Sequence, residues 1–71
     1  MNYSNLDYIR AHQYLYYCLF WPVLSDFEYD KWGRDNCEED YKNGSDLESS
    51  YTKEQKDLAA LILAGKEKLL P

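Results

Sequence analysis

Apolar positions recur at three- and four-residue spacing through most of this chain. Leu6, Ile9, Gln13, Tyr16 and Phe20 form one stripe, and Tyr8, Ala11, Leu15 and Cys18 or Leu19 form an adjoining one. That spacing predicts a helix over Ser4–Phe20 with a wide apolar surface, suited to packing on two sides. Ser4 with Asp7 is a weak start signal of the S-x-x-D type. Phe20-Trp21-Pro22-Val23-Leu24 is an apolar connector, and Pro22 should end the helix before it.

A second helix is predicted from Ser25, where Ser25 and Glu28 form a capping box. Tyr29, Gly33, Cys37 and Tyr41 repeat every four residues, so this helix should run into the Cys37–Tyr41 region. Gly33 inside it either allows close helix approach or marks a break. A third helix should start at Thr52, boxed with Gln55, and run to about Ala64. Leu58, Leu61 and Ile62 give its buried face, with Leu69 beyond it. Gly65 suits the C-cap, and Lys66 and Lys68 sit where the helix dipole favours cations. Asn43-Gly44-Ser45 supplies a turn, and residues 42–51 read as an exposed acidic loop. No alternating pattern predicts a strand. The expectation is all-α: one small three-helix domain over residues 1–71. The first two helices form an antiparallel hairpin, and the third packs on it as a lid over the Phe20–Trp21 connector.

Size and charge narrow the functions. With 71 residues the chain makes one small domain, whose marginal core is helped by eight tyrosines, two tryptophans and two phenylalanines. Net charge is -5, and no basic patch is visible, which argues against direct nucleic-acid binding. A cation, a charged small molecule or a basic protein surface fits the balance better. No secretory signal or 18-residue apolar run is present, so a cytoplasmic, non-membrane protein with reduced thiols is expected. Cys18 and Cys37 have no metal-ligand spacing, and a disulfide between them remains an alternative. His12, the single histidine, has no nucleophile at motif spacing. No metal or phosphate-loop motif occurs, and the protein reads as a non-enzyme.

The candidate chemistry lies across the connector. Asp26, Tyr29 and Asp30 share one face of the second helix's first turns. Tyr16 and Tyr17 end the first helix beside them. Aromatic faces attract a flat cation, and carboxylates accept hydrogen bonds from an amide or ribose hydroxyls. The nicotinamide mononucleotide half of NAD offers all three groups. Without any ligand, Asp26 and Asp30 would still favour the helix dipole, and tyrosines at helical spacing commonly serve a core.

His12-x-Tyr14-x-Tyr16-Tyr17 followed by Ser25-Asp26-x-Glu28-Tyr29-Asp30 resembles the N-terminal Ia subdomain of bacterial NAD-dependent DNA ligases. The likeness covers about residues 9 to 35, with the intervening length matched and a proline in the connector. The resemblance implies a small helical unit that closes over the nicotinamide end of NAD. Tyr16 and Tyr29 would contact or stack on nicotinamide, Asp26 and Asp30 would bind its polar groups, and Tyr17 stands where the family has histidine or tyrosine. Gly33, Asn36 and Cys37 depart from the family's second helix. Its Lys-x-Asp-Gly motif is missing, so this chain should not ligate DNA by itself. The reading is a stand-alone binder of NAD or nicotinamide mononucleotide, acting alone or with a separate nucleotidyltransferase. A compact genome such as a phage's would suit it. The alternative is an acidic protein-interaction module, an inhibitor or DNA mimic, whose favouring feature is the run Asp35–Glu48 with six acidic residues and one lysine.

Overall fold

Each helix begins at a side-chain cap. The computed structural model describes residues 3–71. Helix α1 spans Asn5–Tyr17, α2 spans Asp26–Asn36 and α3 spans Lys53–Leu63, with 3₁₀ turns at Asp40–Lys42 and Glu48–Ser50. No strand occurs among the described residues, so the protein is an all-α three-helix domain. Ser4 and Asp7 form a complete capping box, as do Thr52 and Gln55. At α2 the box is half made. The Glu28 amide donates to Ser25 Oγ at 3.2 Å, and that hydroxyl donates onward to Glu28 Oε1 at 3.0 Å. The carboxylate is thereby drawn to the side chain rather than to the Ser25 amide.

Two helices stop earlier than their patterns suggest. Helix α1 ends at Tyr17, not Phe20. The Leu19 amide donates to the Tyr14 carbonyl at 3.2 Å and the Trp21 amide to Leu15 at 2.8 Å, so the chain folds across the helix end. Phe20 takes φ +54° there, a conformation uncommon for a bulky residue. Helix α2 ends at Asn36, and Glu38 at φ +49° reverses the chain. Tyr41 therefore reaches the Gly33 face by folding back, not by continuing the helix. A Cβ on Gly33 would collide with the Tyr41 side chain, at 2.6 Å from Cγ, so the glycine serves close approach and α2 is unbroken.

The core lies chiefly between α1 and α3, which pack together far more extensively than α1 and α2. Tyr8, Ala11 and Leu15 of α1 meet Leu58, Ala59 and Ile62 of α3, with Val23 and Trp32 against them. Leu6 and Leu69 are exposed, and Leu61 is only partly covered, unlike the predicted stripes. The connector is not lidded either: Phe20 is 80% exposed and Trp21 62%. Helix α3 uses its buried face on the middle of α1, where Val23 joins it, and leaves Phe20 and Trp21 uncovered. Gly65, at φ +74°, lets the Lys66 amide reach the Leu61 carbonyl at 2.8 Å and ends α3. Lys66 and Lys68 fall past the last turn, which holds no basic residue.

The acidic segment is pinned rather than loose. Arg10 donates to the carbonyls of Asn43 at 3.2 Å and Ser50 at 2.7 Å, and its guanidinium lies 4.9 Å from the Tyr51 ring centre. Tyr51, expected in an exposed loop, is buried edge-to-face against Tyr14 and bonded to Ser45. No described helix is long and apolar enough to cross a membrane.

Candidate functional site

The end of α1, residues Pro22–Leu24 of the connector, the start of α2 and the Asp40–Lys42 turn enclose a cavity of about 390 Å³. Tyr16, Tyr17, Asp26, Tyr29 and Asp30 all line it. Residues from two helices meet there because the connector carries the chain back across the C-terminal end of α1. Ligand cavities commonly enclose about 300–1,000 Å³, so this one lies at the small end of that range.

Its walls are tyrosine rings in two states. Tyr16 and Tyr17 are 47% and 40% exposed, with ring centres 4.9 Å apart at 74°. Edge-to-face contact of this kind covers one face of one ring, and the remaining exposure leaves ring surface for a ligand. Tyr17 also presses on the 43–45 turn, because a Cβ on Gly44 would strike its ring, 2.7 Å from Cδ2. Tyr29 is held instead by its hydroxyl. It donates to the Tyr41 carbonyl at 2.6 Å and accepts from Gln13 Nε2 at 2.9 Å. Burial pushes its pKa up to about 12, against the opposing effect of the Gln13 bond. The phenol is thus a fixed neutral group, and what it can offer a ligand is its ring.

Gln13 is the residue that the apolar stripe conceals. Fully buried, it donates to the Asp40 carbonyl at 2.8 Å as well as to Tyr29, and accepts from Arg10 at 3.2 Å. A buried amide needs such partners, and a glutamine within an apolar stripe is the signal that could have found it. His12 also lines the cavity. Its Nε2 meets the Leu69 carbonyl at 2.6 Å, which requires the proton on that nitrogen. Burial lowers its pKa more than this bond raises it, so the ring is neutral at pH 7.

The polar rim carries the charge. Asp26 and Asp30 are exposed, and neither has a hydrogen-bond or ion-pair partner among the described residues. Two unengaged carboxylates beside tyrosine faces can take a cation's charge and an amide's donors. Neither cysteine lines the cavity. Cys18 and Cys37 are free thiols directed at the carbonyls of Ser45 and Asn5, and burial pushes both up. Thiols held protonated are poor nucleophiles. Among the described residues, no cluster of three His, Cys, Asp or Glu side chains is placed to hold a metal ion.

Set against protein-family models, curated proteins and solved structures, the chain matches none of them.

Proposed function

We propose that this protein is a non-enzymatic binding module that takes the nicotinamide mononucleotide part of NAD into the Tyr16–Tyr17–Tyr29 cavity. One observation carries the reading: the five residues singled out by chemistry, and by likeness to the ligase Ia subdomain, line a single cavity. The pyridinium would lie on tyrosine faces, with Asp26 and Asp30 receiving its carboxamide and ribose hydroxyls. The module acts as a sensor or sequestering protein, or serves a separate nucleotidyltransferase. Its two free thiols suit the reducing cytoplasm.

Mass action sets the test. Ligand that binds only the folded state raises the melting temperature. Nicotinamide mononucleotide at millimolar concentration should do so, and Asp30→Asn should reduce the rise. Unliganded stability should change little in that variant, since Asp30 is exposed and lies past the first turn of α2, where a carboxylate gains less than the roughly 0.3–1 kcal/mol available at the helix start. No rise in the parent protein would reject the reading.

A second reading, an acidic module docking on a basic protein, is favoured by the uncovered Phe20 and Trp21. Exposed aromatic groups commonly anchor interfaces, and the chain's net charge of -5 would speed encounter with a basic partner. It requires a complex that weakens with salt and is lost in Phe20→Ser/Trp21→Ser. A complex indifferent to both changes would set this reading aside.

A further inference from the structure

One lysine, Lys42, lines a cavity whose other charged residues are Asp26 and Asp30, and it also borders a second hollow. Asp30, Tyr41 and Lys42 form part of the cavity wall and also part of a second, shallower hollow of about 390 Å³. Phe27 and Arg34 complete that hollow. The hollow beside the tyrosine cavity therefore holds two cations against one carboxylate, in a chain whose net charge is -5. Lys42 Nζ sits 5.6 Å from the Tyr41 ring centre. Its partner Glu39 is 4.0 Å away, with the two side chains 57% and 82% exposed; such a pair contributes little and yields readily to a stronger anion. Arg34 has no hydrogen bond or ion pair among the described residues. The α2 backbone presents it one helical turn after Asp30, on the same side.

We infer that the Lys42–Arg34 hollow is a phosphate subsite, taking the phosphoryl group of a nucleotide whose cationic ring occupies the tyrosine cavity. This rests on the nicotinamide reading above and adds a requirement to it. Asp26 and Asp30 at the cavity repel a phosphate, and Asp30 borders the hollow as well, so a phosphorylated ligand binds well only where Lys42 and Arg34 together outweigh that one carboxylate. Arginine offers a planar fork that matches phosphate oxygens, and lysine adds a point charge. The site therefore selects a zwitterion, cationic at one end and anionic at the other. The uncharged-tail analogue, nicotinamide riboside, fits the cavity but leaves the hollow empty.

Calorimetry on the full chain separates the two ideas. Parent protein should bind nicotinamide mononucleotide about tenfold more tightly than nicotinamide riboside, the value of one good charge-assisted contact. In the double variant Lys42→Gln/Arg34→Gln the two ligands should bind alike; the readout is the ratio of the two affinities, because Lys42 also lines the cavity and its loss can move both. Both residues are exposed, so the variant keeps its fold. A preference that survives the double substitution, or no preference in the parent, overturns the phosphate subsite while leaving the nicotinamide reading intact. Binding of neither ligand overturns both.

Discussion

The Tyr29 hydroxyl donates to the Tyr41 backbone carbonyl at 2.6 Å, which ties the first turns of α2 to the chain reversal that follows that helix. Gln13 Nε2 donates into the same hydroxyl from α1 at 2.9 Å and also reaches the Asp40 carbonyl at 2.8 Å. One phenol thus joins three segments around the cavity. Tyr29→Phe keeps the ring but leaves the Tyr41 carbonyl and half of the Gln13 amide without partners. Buried groups orphaned in this way cost about 1–3 kcal/mol. Urea unfolding should show that loss, while nicotinamide mononucleotide affinity changes far less than in Tyr29→Ala.

Gly33→Ala sets two effects against each other. Helix propensity alone would stabilise by about 1 kcal/mol. The new methyl, however, meets the Tyr41 Cβ and Cγ rather than the far end of a flexible chain. Overpacking of that kind costs about 1–3 kcal/mol, so the variant should melt below the parent. A higher melting temperature would mean that Tyr41 does not lie on Gly33.

Arg10 replaced by methionine tests the pinned acidic segment. The side chain supplies two bonds to loop carbonyls and covers the Tyr51 ring. Hydrogen bonds from a charged donor are worth about 1.5–3 kcal/mol each at best. The partial exposure of this site places the expected loss near the low end. Amide exchange at Ser45, whose N–H is bonded to the Tyr51 hydroxyl at 3.0 Å, should quicken. Unchanged exchange there would show that the loop holds itself.

Two opposed ionisations shape the pH dependence. His12 has its pKa lowered below 6.5 by burial, so below that value the unfolded chain takes a proton that the folded one resists. Stability is full above pH 6.5 and falls as pH drops through the window beneath it. Burial raises the Tyr29 phenol from its ordinary 10.0 to about 12, so its contribution is full below pH 10 and is lost as pH rises toward 12. Tyr8, Tyr51 and both thiols, pushed up by burial as well, have the same sign as Tyr29. Urea midpoints should be flat from pH 7 to 8 and decline on both sides. His12→Gln should flatten the step just below pH 6.5; a step that persists belongs to other groups.

Local signals were the legible ones. Ser4, Ser25 and Thr52 each cap a helix within three residues of chain, and each start was readable. Helix ends were not, because they depend on where the chain goes next. Phe20 and Glu38 reverse it at positive φ without being glycine, so no residue type announced the turns. That the five candidate residues line one cavity was readable because one short connector brings the two helices together. Gln13, Arg10 and Tyr51 act over separations of 16 to 40 residues or within a folded loop, and composition carries no trace of such pairings. The exposed Phe20–Trp21 connector went the other way. Apolarity suggested burial, but α3 had already found partners on Tyr8, Ala11 and Leu15.

Tyrosine ring resonances followed by NMR during titration with nicotinamide mononucleotide test the central claim most directly. The rings of Tyr16, Tyr17 and Tyr29 should move together and saturate with a single affinity, while those of Tyr3 and Tyr8, which meet each other 6.3 Å apart outside the cavity, stay in place. Rings that do not move at millimolar ligand, or movement at Tyr3 and Tyr8 alone, would contradict it.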